Sequence, residues 1–366
     1  MTEFRVGIIG TGFMGQAHAF ALRAVGHTFD LPCTFVLDTV ADVTEKAAED
    51  FRRRFVVERA TTNWRTLCTD PKIDIVSITA PNALHKEMAL AAIAHGKHVW
   101  CEKPLAPLAS EALEMTEAAE AAGVKTQVGF NYLCNPIFRL AREMIRAGEL
   151  GEIRAYRGLH AEDYMADRNA PFTFRHDPAG GGAFADLGSH ALATAEYLCG
   201  PIARLMGDTA TVIGERPTPT GPRKVETNDV GRAFLRFANG ATGAVEASWI
   251  AHGRKMQHDF EVVGEKASLA FHGQHLNELL HAPAGQPFRT IEAGPATPPY
   301  GQFCVAPGHQ LGFNDLKTIE AWGYARALLG EASEPFNFRA GHRIQSLVEL
   351  VHRSSTEERW LDAPAA

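Results

Sequence analysis

Phe4-Arg5-Val6-Gly7-Ile8-Ile9-Gly10-Thr11-Gly12-Phe13-Met14-Gly15 decides the fold. An apolar, β-branched run passes straight into glycines at 10, 12 and 15, and the residues that follow keep a helical period to about Val25. Glycines at a strand-to-helix junction let the backbone turn tightly and bring a helix N-terminus against a pyrophosphate. A carboxylate on the next strand completes such a dinucleotide pattern by holding a ribose 2′-hydroxyl. Asp38, which ends the run Thr34-Phe35-Val36-Leu37-Asp38, is the acid the spacing selects. Thr39, Val40 and Ala41 offer no cation for a 2′-phosphate, so this segment reads as a site for NAD rather than NADP.

The alternation continues toward the C-terminus. Ile73 to Thr79, Lys97 to Cys101 and Lys125 to Gly129 are short apolar strands, and helical stretches over 44–55, 83–95 and 110–122 separate them. Strands that are apolar on both faces and joined through helices belong in a parallel sheet covered on both sides, a doubly wound α/β Rossmann domain over residues 1–129. Past a helical segment around 138–147, longer alternating strands appear, among them 153–160, 232–238 and 241–250. In the last of these Val245, Ala247 and Trp249 share one face while Glu246 and Ser248 take the other, as in a sheet packed on one side. Asn239-Gly240 between the last two strands supports a tight hairpin. Helices around 314–329 and 342–352 close the chain, and the Gly/Pro-rich stretch 282–307 reads as loops between short strands. Residues 130–366 are therefore expected to form an α+β domain with a large open, mainly antiparallel sheet.

A length of 366 residues with 45% apolar content suits two buried cores. Lys and Arg total 36 against 43 Asp and Glu, a net charge of −7, scattered without basic runs. Nucleic acid and anionic membrane surfaces are poor partners for such a chain. No stretch approaches the roughly 18 apolar residues of a membrane span, and Met1-Thr2-Glu3 opens no signal peptide, so a soluble cytoplasmic protein is expected. The six cysteines stand far apart, with no CxxC pair, and are expected to be thiols. Neither they nor the 16 histidines show metal-ligand spacing, so no metal is expected.

Three further segments carry chemistry. Pro81-Asn82-Ala83-Leu84-His85 follows a strand at the carboxyl edge, where open α/β sheets bind ligands, although Asn82 reads equally well as a helix N-cap. Glu102-Lys103-Pro104 ends a strand at the same edge, and the proline keeps Lys103 extended, although a lysine after a strand is more often a solvated charge. In Gly180-Gly181-Gly182-Ala183-Phe184-Ala185-Asp186-Leu187-Gly188-Ser189-His190, Asp186 and His190 share a helical face. There the carboxylate can orient the imidazole. The plainer alternative is an acid in a first turn beside a core histidine.

Gly10 to Gly15, Asp38, Thr79 to His85, Cys101 to Pro104, Gly129-Phe130-Asn131-Tyr132 and Gly180 to His190, in this order and spacing, resemble the Gfo/Idh/MocA oxidoreductase family over essentially the whole chain. The segments 156–175, 236–254 and 307–313 resemble its sugar-dehydrogenase branch, whose members oxidise a pyranose ring hydroxyl. The resemblance implies that Lys103, Asp186 and His190 surround the reacting carbinol, with a cis bond before Pro104. It implies that Phe13, Met14, Pro81, Asn82, His85, Glu102, Lys103 and Asn131 line the NAD site. It makes the second domain the substrate-binding and oligomerisation domain, pairing copies into a homodimer or homotetramer through its sheet. Relatives often carry another acid a few positions past the histidine, where this chain reads Ala191-Leu192-Ala193-Thr194, which leaves contacts to polyols such as inositol open.

In the chemistry this implies, His190 takes the hydroxyl proton, Lys103 stabilises the alkoxide, nicotinamide C4 accepts the hydride and Asp186 holds the imidazole. Tyr132, Glu162, Asp163, Tyr164, Arg175 and His309 join Lys103, Asp186 and His190 as the expected sugar contacts, a set rich in hydrogen-bonding groups. The alternative is that these side chains form surface salt bridges. The expected reaction is oxidation of a secondary pyranose hydroxyl, at C3. Runner-up readings are an inositol or polyol dehydrogenase, an NADPH-dependent sugar carbonyl reductase, and a non-enzymatic cofactor-sensing regulator.

Overall fold

The structure, a computed structural model, describes residues 1–331 and 336–365. Two compact units form, one from Met1–Cys134 with Gly312–His342, the other from Asn135–Leu311 with Arg343–Ala366.

The first unit carries six parallel strands, β1 (Thr2–Ile9), β2 (Cys33–Ala41), β3 (Arg59–Thr61), β4 (Ile75–Ile78), β5 (His98–Cys101) and β6 (Thr126–Val128), in the order β3-β2-β1-β4-β5-β6. Helices α1 (Phe13–Thr28), α2 (Glu45–Phe55), α3 (Arg65–Thr69), α4 (His85–Ala94) and α5 (Ala109–Ala122) connect them. The expected doubly wound sheet is thus present. Val6, Ile8, Ile75, Val76, Ile78 and Val99 are wholly buried, as strands covered on both faces require. Helix α1 buries its small-residue side, Ala17, Ala19, Ala21, Leu22 and Val25.

An undivided second domain from residue 130 onward is not what the chain forms. Helix α8 (Phe313–Leu328) belongs to the first unit, where Trp322 stacks on Phe29 at the end of α1 with centroids 4.7 Å apart. An apolar helical face can cover either sheet, and here α1 supplies the complementary surface.

The second unit opens with α6 (Pro136–Arg146), whose N-cap Asn135 accepts from Ile137 N–H. Its main sheet uses β7 (Ile153–Ala161), β8 (Ile202–Ala210), β11 (Val230–Phe237), β12 (Thr242–Ser248), β13 (Gln257–Gly264), β14 (Ala267–Phe271), β15 (Glu278–Pro283), β16 (Arg289–Glu292) and β17 (Leu361–Asp362). The order is β16-β15-β14-β13-β7-β12-β11-β8-β17, open at both ends, while β9 (Glu215–Thr218) and β10 (Gly221–Lys224) form a separate hairpin. All neighbours in the large sheet pair antiparallel except β7 and β12, which are parallel. The expected hairpin at Asn239-Gly240 joins β11 to β12, with Gly240 at φ +90° and the Asn239 side chain accepting from Ala241 N–H. Helix α7 (Ser189–Cys199) packs on β7, and α9 (Phe338–Glu357) is the last helix.

All six cysteines are free thiols, four of them buried. Among the described residues no helix is long and apolar enough to cross a membrane, and no group of three or more His, Cys, Asp or Glu is arranged to hold a metal ion.

Candidate active site

In the first unit the strand order reverses between β1 and β4, and the crevice outside their carboxyl ends is where open α/β sheets bind ligands. Gly10, at φ +100°, makes the turn there; a Cβ on it would stand 2.8 Å from Thr79 O. A Cβ on Gly15 would stand 2.1 Å from Gly10 O, so α1 leaves the strand only with glycine at that position. Around Gly12 no atom lies within 4 Å of a Cβ, which keeps the approach to the α1 N-terminus open. No side chain caps that end and no acid occupies the first turn, so its N–H groups and the helix dipole are available to a phosphate.

The expected ribose acid needs correction. Strand β2 does not end at Asp38 but runs on to Ala41, and its register against β1 shifts between Val6 and Gly7, leaving Asp38 as the extra residue. Asp38 is 1% exposed and sits in an ion ladder across three strands. Arg5 Nε of β1 donates to it at 2.7 Å, Arg59 Nε of β3 at 3.0 Å and the Thr39 hydroxyl at 2.6 Å. Burial alone would raise its pKa, but the Thr39, Arg59 and Arg5 donors outweigh it and hold the carboxyl below its ordinary range. The acid at the carboxyl end of β2 is Asp42, whose Oδ2 accepts from Thr11 N–H at 2.9 Å and Thr11 Oγ1 at 2.6 Å. Asp42 therefore stands against the glycine loop, where a ribose carboxylate is required, and Val43 after it brings no cation.

His85 is also displaced from its expected role. It is wholly buried, with Nε2 2.8 Å from Ala80 O and Nδ1 3.0 Å from Pro104 O, so it fastens the loop after β4 to the loop after β5. Burial holds its pKa below the ordinary value against the pull of those carbonyls. Asn82 is not the α4 cap; it starts a 3₁₀ turn after the extended Pro81. The bond between Lys103 and Pro104 is cis, as the family resemblance implies. Glu102 is buried rather than lining an open wall, and its Oε1 takes His18 Nε2 and Lys317 Nζ, each at 2.8 Å. Asn131 is 3% exposed and its Nδ2 meets no acceptor, a buried donor that a bound group can satisfy. Phe13, 70% exposed, packs on Phe313 at 5.2 Å, and Tyr132 meets the same ring edge-on at 6.4 Å. The open helix N-terminus, Asp42 and the orphan amide of Asn131 together fit a dinucleotide.

In the second unit Asp186 lies in a π-helical turn, Phe184–Gly188, that leads directly into α7 and His190. Such wide turns recur at functional positions because they shift a side chain relative to the following helix. The π turn is locked by packing: a Cβ on Gly188 or Gly231 would stand 2.8 or 2.4 Å from the Phe184 ring. Tyr164 Oη donates to Asp186 Oδ2 at 2.6 Å and Arg175 Nε to the same oxygen at 3.2 Å. The segment bearing Tyr164 is held by the buried Arg216, which donates to the carbonyls of Met165 and Asp167.

Another expected sugar contact has its side chain engaged elsewhere. Asp163 accepts from Lys255 Nζ at 2.7 Å and Gly253 N–H at 3.0 Å, a surface staple between loops. His309 is exposed, and its carbonyl accepts from the Tyr300 hydroxyl. Glu162 lies 3.2 Å from His160 Nε2, a histidine sequence reasoning did not single out. The signal was the alternation of β7, which points His160 toward α7.

Residues 4–130 match the family model described as the oxidoreductase family, NAD-binding Rossmann fold, and residues 138–270 match that of the GFO/IDH/MocA C-terminal domain. The chain is 35% identical to levoglucosan dehydrogenase of Pseudarthrobacter phenanthrenivorans, across 100% of this chain and 99% of that one. It is 30% identical to scyllo-inositol 2-dehydrogenase (NAD(+)) of Bacillus subtilis over 73% of each. Among solved structures, levoglucosan dehydrogenase in complex with NADH and levoglucosan is similar at TM-score 0.96 over 100% of both chains, with 35% identity. An inositol dehydrogenase homologue from Azotobacter vinelandii, with NADH and myo-inositol, is similar at 0.85 over 99% of this chain and 98% of that one, with 25% identity.

Proposed function

Because the chain belongs to the Gfo/Idh/MocA family of NAD-binding oxidoreductases, we propose that it oxidises a secondary ring hydroxyl, at C3, of a pyranose, anhydrosugar or glycoside. The observation that carries this reading is the convergence of Tyr164 and Arg175 on Asp186, four residues ahead of the buried His190. Such a group is polar on every side. A ligand with several hydroxyls can join such a hydrogen-bonded group at several points, accepting from the phenol and guanidinium and donating to the carboxylate, where a simple alcohol joins it at one, which favours a pyranose over short alcohols. Full-length similarity to levoglucosan dehydrogenase supports an anhydrosugar or glycoside over an inositol.

His190 takes the hydroxyl proton, its imidazole oriented by Asp186, and the Lys103 ammonium stabilises the negative charge growing on the substrate oxygen. Bound NAD supplies the hydride acceptor. Asp42 would hold the ribose hydroxyls, the α1 N-terminus would hold the pyrophosphate, and Asn131 would donate its amide to the cofactor.

Purified protein with NAD is offered levoglucosan, glucosides blocked at C1, free aldoses, myo-inositol and short alcohols, with NADH followed by absorbance and products located by NMR. The expected product is a 3-keto sugar. Lys103→Met should lower turnover at least a hundredfold, on the order of 3 kcal/mol of transition-state stabilisation, with NAD affinity nearly unchanged. Oxidation confined to C1 of free aldoses, or to inositol, refutes the assignment.

A further inference from the structure

Between the end of β7 at Ala161 and the π turn that carries Asp186, residues 162–181 form two 3₁₀ turns, Phe174–His176 and Pro178–Gly180, and no strand. A long irregular connection inside a compact unit is usually functional. This one sends Tyr164 and Arg175 to a single oxygen of Asp186, at 2.6 and 3.2 Å. No ladder within the segment aims those two side chains, so their placement depends on what the segment is tied to.

The β9–β10 hairpin ties it. The two strands pair with each other and with neither large sheet. The hairpin leaves from the connection between β8 and β11, neighbours in the main sheet, and the buried Asp229 closes its base by accepting from Val212 and Ile213 N–H at 2.7 Å each. The other Asp229 oxygen accepts from Trp249 Nε1 at 2.8 Å, and the Trp249 carbonyl takes Met165 N–H at 3.0 Å. From β9, the wholly buried Arg216 donates to the carbonyl of Met165, at 2.6 Å, and to that of Asp167. The residue after Tyr164 is thus held at both its N–H and its carbonyl. The flanks of Arg175 are held as well: Phe172 N–H donates to Pro217 O at 2.9 Å, and Arg223 of β10 lies over the Phe172 ring at 4.1 Å and donates to Asp177 Oδ2 at 2.8 Å. A buried guanidinium is costly to place, and its rigid fork fixes two acceptors at once where an ammonium is a point charge.

We propose that the β9–β10 hairpin determines which sugar the protein accepts, with Arg216 as the positioning residue that holds Tyr164 and Arg175 on Asp186. This rests on the proposed oxidation. Tyr164 is 40% exposed and the Arg175 side chain 37%, so both can meet a sugar hydroxyl while the hairpin fixes where they do so. Arg216 itself, wholly buried, acts only through them. The expected NAD contacts, Asp42 and Asn131 among them, belong to the first unit.

The test compares wild type, Arg216→Met, Arg216→Lys and Arg223→Ala with levoglucosan and NAD. Arg216→Met should raise the sugar KM about tenfold, with kcat within about threefold and NAD affinity unchanged. Arg216→Lys keeps the charge but loses the fork, and should fall between wild type and Arg216→Met. Arg223→Ala removes an exposed contact, does not endanger folding, and should raise KM roughly threefold. Tyr164→Phe should raise KM in the wild-type background and add little in either Arg216 variant, a coupling that a general loss of stability would not produce. Wild-type KM in both Arg216→Lys and Arg223→Ala, or a full further effect of Tyr164→Phe in the Arg216 variants, overturns the proposal. So does a loss of NAD affinity in step with the rise in KM. Tyrosine ¹³Cζ NMR without substrate gives a reading independent of the reaction: the Tyr164 signal, assigned by Tyr164→Phe, should move in Arg216→Lys toward its position in Asp186→Ala. If wild type oxidises no sugar while that signal moves, the proposed function fails and the positioning by Arg216 stands. If sugar is oxidised and the signal stays, the role of the hairpin alone fails.

Discussion

Between Asp38 and Asp42 the difference lies in where strand β2 stops. Thr39, Val40 and Ala41 are good strand formers and extend β2 beyond the first acid, so Asp38 is enclosed by Arg5 and Arg59 while Asp42 emerges beside Thr11. The two acids should therefore separate stability from cofactor choice. Asp42→Ala removes an acceptor from the ribose and a partner from the glycine loop, and should weaken NAD about tenfold, or 1.4 kcal/mol, while leaving NADP nearly unchanged. Asp38→Asn leaves two arginines facing a neutral amide in a buried place, and should cost roughly 1–3 kcal/mol of stability without altering the ratio of the two affinities. Fluorescence titration with both cofactors and urea denaturation of both variants decide the matter. A larger change of ratio in Asp38→Asn than in Asp42→Ala would restore the shorter strand reading.

Helix α8 raises the same issue for a whole element. Its apolar positions were legible as a helix over about 314–329, but amphipathicity identifies a face and not the surface that face will cover. The unreadable part was Lys317, wholly buried with Nζ 2.8 Å from both Glu102 Oε1 and Glu320 Oε2. Burial would raise the pKa of Glu102, yet Lys317 and then His18 overcome it and keep the carboxyl ionised, while Glu320, also buried, is pushed up to about 7. Lys317→Met leaves Glu102 without its cation and should destabilise the protein by about 3–5 kcal/mol. Adding Glu102→Gln to it should recover part of that loss, because an uncompensated buried charge is then no longer present. Additive losses in urea melts of the single and double variants would mean that the two groups do not share one network. Elsewhere the strands with clean βα punctuation, β1, β4, β5 and β6, were readable because local pattern and tertiary role coincide. The parallel pairing of β7 with β12 was not, since strand direction depends on partners distant in sequence. Asp186 and His190 were readable as a pair, but the arrival of Tyr164 and Arg175 at Asp186 depends on a loop fixed by Arg216, which no local pattern encodes.

Across the molecule the buried histidines set a common acid limit. In the first unit His18, His85 and His98, and in the second His176, His258 and His352, all have pKa values pushed below the ordinary 6.5, in each case chiefly by burial. For His18, stacked on Trp100 and held between Ser77 and Glu102, the value falls to about 4, with the Lys317 charge adding to burial. Unfolding exposes these imidazoles to water, where they bind protons near pH 6.5, so between about pH 6.5 and 4 the unfolded chain binds more protons than the folded one. The sign follows: their contribution to stability is complete above about pH 6.5 and declines as the pH falls through that window. Each histidine adds up to about 1.4 kcal/mol per pH unit, which for His18 alone amounts to roughly 3 kcal/mol by pH 4. Below that, Asp38 and Glu102, ionised in the folded state past their ordinary range, extend the loss in the same direction. Urea midpoints measured by circular dichroism should therefore fall steadily from about pH 7 to about pH 5, before ordinary carboxylates titrate. His18→Gln, which retains a side chain able to meet Ser77 and Glu102, should be less stable at neutral pH and show a shallower decline by up to one proton's worth of slope. A midpoint that stays level over this range, or a slope unchanged in His18→Gln, would mean that these rings are already protonated in the folded protein.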